Sequence, residues 1–292
     1  MGLERVHGLV TFAGSVSFAA WGQRRIAFTG TMEPSLLFQN VGVFVAGEGE
    51  AARRLAEDAD VTFVSYPWSE LLPLTDLGPI WIDDTRFLVF ATARGRCIPY
   101  VVDENEEPRP IFAPDTTTEI AHAAAGGGRV VVIASVDGGA GELYELDPGD
   151  GGLRQITKEA ARWFGPSRRL PEEIVVTHPS EGHQIQGWLT RATGAETDRR
   201  PLVLEIHGGP YDSTRATQLA EVLMLADAGF HVAAMNPRGS AGFGEAFARA
   251  LHGQWGVPDA SDLLATVDHL SAEGLITPIA SACSACHTAA SW

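Results

Sequence analysis

Two glycine-rich loops hold the residues of this sequence that are best suited to chemistry. The first is His207-Gly208-Gly209-Pro210, which directly follows the apolar run 201–206. Paired glycines let a backbone approach a reacting atom closely, and their N–H groups can point at a developing negative charge. Such donors form the oxyanion hole of an acyl-transfer enzyme. The same tetrapeptide also fits a plain turn, which is what most glycine pairs after strands are.

The second loop is Asn236-Pro237-Arg238-Gly239-Ser240-Ala241-Gly242-Phe243-Gly244, followed by the segment Gly253-Gln254-Trp255-Gly256. It combines a turn initiator, a fixed cation and three glycines. We interpret Arg238 as a buried ion-pair anchor of a structural loop rather than as a catalytic group.

The two loops must be positioned by alternating strands and helices. The apolar runs 201–206 and 230–235 predict strands, and each ends at one of the loops. Helical periodicity covers 217–228, which Gly229 ends, and 258–272. Such alternation is typical of a parallel sheet, whose ligand sites form beyond the carboxyl ends of its strands.

An antiparallel hairpin precedes these elements. Its strands are predicted at 174–177 and 184–189, and Glu181-Gly182 forms the turn between them. The polar cluster 165–169 marks a domain boundary before the hairpin. We therefore expect a partial β-propeller over 1–165 and the first part of an α/β-hydrolase domain over 166–278.

The propeller is predicted from three similar stretches. Each has an arginine-led strand (25–29, 86–90, 129–133), a second strand (42–45, 99–102, 142–146) and an arginine-marked closing segment (52–55, 108–111, 153–157). The spacing is 43 positions from Arg86 to Arg129 and 44 from Tyr100 to Tyr144, close to the period of a four-stranded blade. An irregular β-sandwich is the alternative.

Composition excludes several classes of protein. The chain has 292 residues, 45% of them hydrophobic, and a net charge of −16, which would repel nucleic acid and anionic membranes. Three cysteines and the lack of a signal segment favour a reducing, cytoplasmic location. No cofactor is expected, and the oligomeric state is left open.

The order of these pieces resembles the prolyl oligopeptidase family of serine peptidases, especially acylaminoacyl-peptidase and dipeptidyl-peptidase-like members. A propeller, a hairpin ending in Gly187-Trp188-Leu189, the HGGP loop and the NPRGSxGxG loop follow one another as in that family. The resemblance implies hydrolysis of peptide or acyl-peptide bonds. It also implies that Gly209 supplies an oxyanion-hole N–H and that His207, Gly208 and Tyr211 lie near the site.

The family's Ser-Asp-His triad, with its serine in a G-x-S-x-G turn, is absent from this sequence. After Pro278 the residues 279–292 match neither an apolar strand nor a turn. Inserting one base after the Pro278 codon, with permitted codon choices, gives an apolar strand ending in G-x-S-x-G. We therefore expect a one-base deletion, an aberrant tail and a chain that is inactive as printed. Endopeptidase, dipeptidyl-peptidase and acylaminoacyl-peptidase specificities all remain open.

Two other functions compete with this interpretation. The propeller could be a protein-binding or scaffold module, although about three blades is few for one. The tail sequence Cys283-Ser284-Ala285-Cys286-His287 matches the C-x-x-C-H pattern of c-type haem attachment, and the same residues could bind zinc. We expect neither haem nor metal there. The remaining histidines are expected to be surface or core residues: His122, His178, His183, His231, His252 and His269.

Overall fold

A computed structural model describes residues 10–33, 38–64, 77–103, 105–113, 115–137, 141–159, 162, 171–194, 199–215 and 220–285, with the backbone alone for residues 278–285. Within these ranges the chain forms three four-stranded antiparallel sheets and then a five-stranded mixed sheet. The three small sheets are propeller blades, and the mixed sheet has the strand and helix order of a hydrolase domain.

Each blade is a meander of four consecutive strands. The first contains β1 (Ser15–Trp21), β2 (Arg25–Thr31), β3 (Gly42–Gly47) and β4 (Arg53–Leu55). The second contains β5 (Ile80–Trp81), β6 (Arg86–Ala93), β7 (Arg96–Asp103) and β8 (Arg109–Pro110). The third contains β9 (Glu119–Gly126), β10 (Arg129–Ser135), β11 (Glu142–Leu146) and β12 (Leu153–Gln155).

The second blade is packed on both faces. In β6, Phe87, Val89 and Ala91 belong to a core shared with the first blade, whereas Leu88 and Phe90 belong to a core shared with the third. Successive side chains of a strand point to opposite faces of the sheet, so a strand covered on both faces needs apolar residues at every position. This explains the unbroken apolar run of β6.

The third blade shows the contrasting pattern. In β10 only Val130, Val132, Ala134 and the adjoining Ser135 are fully buried, and the residues between them are partly exposed. The alternation is that of a strand with one face in the core and one face nearer to solvent.

The mixed sheet has the strand order β13-β14-β16-β15-β17. Its strands are β13 (Glu172–Thr177), β14 (Gln184–Thr190), β15 (Arg200–Ile206), β16 (His231–Asn236) and β17 (Ile276–Ala285). Its helices are α1 (Ala220–Asp227), α2 (Glu245–Arg249) and α3 (Pro258–Ala272). Strand β15 pairs in parallel with both β16 and β17, while β14 pairs antiparallel with β13 and β16.

The two long helices cover opposite faces of this sheet. On one face Leu202 and Leu204 of β15 share a core with Leu270 of α3. On the other face Val203 packs with Val222 of α1. The alternation along β15 therefore places the sheet between the helices, which is the layered arrangement that strand and helix alternation predicts.

The predicted fold class is confirmed, with a propeller part followed by a hydrolase part. The second and third strands of each blade and the hairpin of β13 and β14 lie where the sequence places them, and α3 has the predicted bounds. Helix α1 is described from Ala220, because 216–219 lie outside the described residues. The sequence patterns missed the first strand of every blade and the short helix α2.

The expectation that no strand follows Pro278 is wrong for residues 279–285. Strand β17 continues to Ala285, and residues 281–285 pair in parallel with Leu202 to Ile206 of β15. The exposed backbone groups along β15 can pair with almost any extended chain, so hydrogen bonding here does not require an apolar sequence. Residues 286–292 and the boundary cluster 165–169 lie outside the described residues, so the division into domains stays a prediction.

Candidate active site

The two glycine-rich loops lie at the same edge of the mixed sheet. Strand β15 ends at Ile206, β16 ends at Asn236, and the two strands are parallel neighbours. The carboxyl ends of parallel strands meet at one edge, so the loops 207–215 and 237–244 lie side by side. Strand β17 runs parallel to β15 on its other side and ends at this same edge.

Gly209 occupies a backbone conformation that favours glycine. Its φ is 115°, and a Cβ added there would lie 2.9 Å from the Tyr211 nitrogen and 3.1 Å from the Asp212 Cβ. Gly209 is exposed, and no acceptor for its N–H occurs in the described part of the chain. The loop therefore presents a free backbone donor at the carboxyl end of β15, as an oxyanion hole requires.

His207 connects the two loops. Its Nε2 lies 3.0 Å from Ser240 Oγ, and its Nδ1 lies 2.9 Å from the Gly208 carbonyl oxygen. Burial lowers the pKa of His207 and so favours the neutral ring. The Ser240 hydroxyl is 1% exposed and donates to the Pro237 carbonyl at 2.6 Å, so its proton is directed into the second loop rather than towards His207.

Tyr211 turns towards the propeller. Its hydroxyl donates to Asn40 Oδ1 at 3.2 Å. Burial, together with the Glu245 and Asp60 carboxylates, raises the pKa of Tyr211 to about 12. Tyr211 is thus near Gly209 in sequence, as the resemblance implies, but its polar end is bound to the first blade.

Arg238 lies in a network of ion pairs. Its guanidinium is 2.8 Å from Asp262 Oδ1, it also pairs with Glu181, and its backbone N–H donates to Asp262 Oδ2 at 2.8 Å. Asp262 is fully buried and also lies 3.0 Å from His183 Nε2. These contacts join the second loop to α3 and to the hairpin turn. That Arg238 has only a structural role stays a prediction.

Asn236 is a positioning residue that the sequence patterns did not identify. It is fully buried, accepts from the Thr214 N–H at 2.7 Å, and donates to the Thr214 carbonyl at 3.1 Å and to Gln186 Oε1 at 2.7 Å. It therefore fixes the segment after Tyr211 to the end of β16. The available sequence signal is a polar residue that ends an apolar strand directly before a proline.

Two carboxyl groups near the loops are buried. Burial raises the pKa of Glu205 to about 7, and the neighbouring Glu221 and Asp212 add to the effect. Burial also raises the pKa of Glu119 to about 7, against the opposing influence of Arg215 and Arg96. Both groups therefore favour the protonated form far more than an exposed glutamate does.

The other candidate ligands do not form a metal site in the described residues. No group of three or more His, Cys, Asp or Glu side chains there could hold a metal ion. The side chain of Cys97 is buried. The side chain of Cys283 and all of Cys286 and His287 lie outside the described residues, so the C-x-x-C-H pattern has no structural description.

The histidines outside the loops differ in exposure. His178 and His231 are buried, whereas His122, His252 and His269 are exposed. His178 stacks on His183, with 5.0 Å between the ring centroids, and its Nε2 lies 3.0 Å from Ser261 Oγ.

Residues 216–283 match the sequence model of the prolyl oligopeptidase family. That stretch, less than a quarter of the chain, is similar to the prolyl oligopeptidase family. The matched stretch contains the second loop and α3, and it runs past Pro278 into β17.

The chain is also similar to individual known proteins. The chain is 39% identical over 100 residues to the uncharacterized peptidase YuxL of Bacillus subtilis, covering 34% of this chain and 15% of that protein. It is 26% identical over 229 residues to the probable dipeptidyl-peptidase 5 of Aspergillus flavus, and this match covers 76% of this chain and 30% of that protein. The solved structure of the acylaminoacyl peptidase of Pyrococcus horikoshii superposes on this chain with a TM-score of 0.73 at 20% sequence identity. The superposition covers 90% of this chain and 39% of that protein.

The chain spans less than half the length of each of these relatives. At 20% identity, the likeness to the solved structure shows the shared fold. Among the residues that the structure describes, no helix has both the length and the hydrophobicity needed to cross a membrane.

Proposed function

We propose that this chain carries the oxyanion loop of a serine peptidase that acts on peptides or acyl peptides. The observation that supports this most strongly is the exposed, unpaired N–H of Gly209 at the carboxyl end of β15. The names of two relatives, an uncharacterized peptidase and a probable dipeptidyl-peptidase, support peptides as the class of substrate.

Gly209 has a defined part in such a reaction. A serine oxygen attacks the carbonyl carbon, a histidine accepts the serine proton, and the carbonyl oxygen gains negative charge in the transition state. The Gly209 N–H is placed to donate to that oxygen. Loss of one such donor lowers kcat by about 10² to 10³ in serine peptidases.

We also propose that the printed chain is inactive, because its Ser–His contacts are structural. Ser240 and His207 join the two loops, and Ser261 and His178 join α3 to the hairpin. Neither serine lies in a G-x-S-x-G turn.

A serine-directed probe tests the inactivity. The purified 292-residue chain is incubated with a fluorophosphonate, and its intact mass and its turnover of acyl-peptide and dipeptide anilides are measured. We expect no adduct and no turnover, with an active serine hydrolase as positive control. A stoichiometric adduct on Ser240, or on any other serine, would show that the chain contains its own nucleophile and would overturn this part of the proposal.

The peptidase activity is tested through the gene. Sequencing across the Pro278 codon is expected to reveal a second frame that encodes G-x-S-x-G, and the protein read in that frame is expected to hydrolyse peptide anilides. If sequencing finds the printed reading frame unchanged and no hydrolase sequence in any downstream frame, the proposed frameshift is wrong.

In the protein read in that frame, Gly209→Ala should lower kcat by about 10²-fold or more, because the added Cβ displaces the donor. Gly182→Ala is the matched control. Gly182 also has a positive φ, of 76°, but lies in open space at the hairpin turn. Equal activity of the two variants would remove Gly209 from the mechanism.

We further propose a cytoplasmic location. The chain has three cysteines in total, a number that suits a reducing compartment. Thiol titration of the native and unfolded protein isolated from the cytoplasmic fraction should find Cys97 reduced.

A further inference from the structure

A segment of the first blade inserts an aromatic ring beside the oxyanion loop. Phe38 is 5% exposed and packs on Ala248 and Leu251 of the hydrolase part. Its ring also lies edge-on to three other rings of that part, with centroid distances of 6.2 Å to Tyr211, 6.4 Å to His252 and 6.3 Å to Trp255. A propeller side chain therefore fills a pocket in the hydrolase part.

The backbone of Phe38 has an unfavourable conformation. Its φ is 60°, in the left-handed region that bulky residues rarely adopt. Such conformations persist where the surrounding contacts determine them, and they occur preferentially at functional sites. The packing of the Phe38 ring in the hydrolase pocket is the contact that compensates here.

Asn40 joins the same two parts through three polar contacts. Its Oδ1 accepts from the Tyr211 hydroxyl at 3.2 Å, its Nδ2 donates to Asp60 Oδ1 at 2.8 Å, and its backbone N–H donates to Glu245 Oε2 at 3.2 Å. Asp60 Oδ1 also accepts from the Glu245 N–H at 2.9 Å. The bonds form a closed set that spans the first blade, α2 and the oxyanion loop.

The oxyanion loop is thus held from two sides. On the hydrolase side, His207 contacts Ser240, and the Asp212 carbonyl accepts from the Ala241 N–H at 2.8 Å. On the other side, the Tyr211 hydroxyl is bound to the propeller. Tyr211 is two residues beyond Gly209, so the contacts of its side chain act on the same short loop as the glycine donor.

We propose that Phe38 and Asn40 are positioning residues through which the propeller fixes Tyr211 and, with it, the Gly209 donor. The oxyanion loop then reaches its working geometry only when the propeller is seated on the hydrolase part. This inference rests on the proposed role of Gly209, but its own test needs no turnover. The test asks whether the acceptor at residue 40 and the packing of Phe38 set the environment of the Tyr211 hydroxyl.

The test follows the ionisation of Tyr211 by fluorine NMR in the full chain labelled with meta-fluorotyrosine, whose phenol is more acidic and titrates under milder conditions. The resonance that is lost in Tyr211→Phe identifies Tyr211. Besides Asn40, in the part of the chain that the structure describes, Thr62 hydrogen-bonds to the Tyr211 side chain, and the Asp60 and Glu245 carboxylates act on it electrostatically. These residues stay unchanged throughout.

Asn40→Ala removes the hydrogen-bond acceptor, and Phe38→Ala opens the pocket to water. Each should increase the acid dissociation constant of Tyr211 by about tenfold or more, from a pKa of about 12 towards the 10.0 of a free phenol in the unlabelled chain. Asn105→Ala, which removes an exposed asparagine bonded to Asp103 in the second blade, should leave it unchanged.

The variant Asn40→Asp distinguishes placement of the Tyr211 hydroxyl from simple contact between the propeller and hydrolase parts. It keeps an oxygen acceptor for the Tyr211 hydroxyl and adds a negative charge, so the pKa of Tyr211 should stay high, although repulsion from Asp60 and Glu245 weakens contact between the two parts. Unchanged Tyr211 titration in both alanine variants, or a fall in Asn40→Asp equal to that in Asn40→Ala, overturns the inference. If Phe38→Ala does not fold, the two Asn40 variants decide alone. A failed peptidase proposal would appear in the turnover assays and not in this titration.

Discussion

The propeller and the oxyanion loops are stabilised by different kinds of contact. Between the blades, Phe87 and Leu88 of β6 are fully buried in two apolar cores. Around the loops, Asn236 and Asp262 are also fully buried, but each is held by directional polar bonds. Apolar packing tolerates small shifts, whereas a hydrogen bond fixes distance and angle. The comparison indicates that the blades provide stability and that the polar contacts provide accurate placement of the loops.

The largest effect should come from breaking the buried polar contacts. Arg238→Met leaves the fully buried Asp262 without its guanidinium partner. We expect the free energy of unfolding to fall by about 3–5 kcal/mol, because an uncompensated buried charge is costly. Urea unfolding followed by fluorescence measures the loss.

The double variant Arg238→Met with Asp262→Leu is the control, because it removes both charges and should recover part of that loss. A loss below about 1 kcal/mol for the single variant would indicate that water already solvates the pair.

Truncation of a blade core should have the next largest effect. Leu88 is fully buried and Leu264 of α3 is 65% exposed, so the same change to alanine compares core with surface. Leu88→Ala should lower the free energy of unfolding by about 2–5 kcal/mol, and Leu264→Ala should change it by about 0.5 kcal/mol or less. Both are read by chemical denaturation. Similar losses in the two variants would contradict the tight packing between the blades.

The buried Glu205 should make stability depend on pH. Its folded-state pKa is raised from 4.5 to about 7, so the native state keeps a proton that the unfolded chain has released. The free energy of unfolding should therefore fall as pH rises through the window from 4.5 to about 7.

Glu205→Gln removes this dependence and should stabilise the protein above that window by about 1–3 kcal/mol. Glu119, which has a similarly raised pKa, should supply the slope that remains. Unfolding curves across the pH range test the sign, and a stability that rises through the window in the unaltered chain would refute it.

The smallest effect is expected at the surface of the hydrolase hairpin. Arg191 lies 3.0 Å from Glu172, and these side chains are 29% and 56% exposed. Glu172→Gln should cost about 0–1 kcal/mol, because solvent screens an exposed pair. The difference from the unaltered chain should vanish in high salt, and a difference that persists there would mean that burial of the pair matters more than its charge.

Much of the fold could be predicted from local patterns. The inner strands of the blades are apolar at almost every position, and α3 has an apolar face and a proline at its first turn. The first strand of each blade lacked such a signal. In β1 most residues are exposed, β5 has two residues, and β9 is rich in alanine. These first strands are determined by their pairing with the next strand of the blade more than by their own sequence.

The candidate site likewise has one part that the sequence predicts and one part that it does not. The position of the HGGP loop at the end of a strand follows from the sequence, because a glycine pair after an apolar run carries a local signal. The contacts of Tyr211 with Phe38 and Asn40 carry no such signal, since they join residues more than 170 positions apart in the chain. The strand formed by 281–285 was missed because the pairing edge of β15, rather than apolar periodicity, accounts for it.

The sequence by itself determined the types of secondary structure, their order along the chain and the glycine that can present a free N–H. These features depend on side-chain periodicity and backbone freedom, which act over a few residues. The tertiary structure alone decided that a phenylalanine and an asparagine of the first blade hold the tyrosine beside that glycine. Such contacts depend on how the propeller is seated on the hydrolase part, and distances between remote segments are fixed only when the chain has folded.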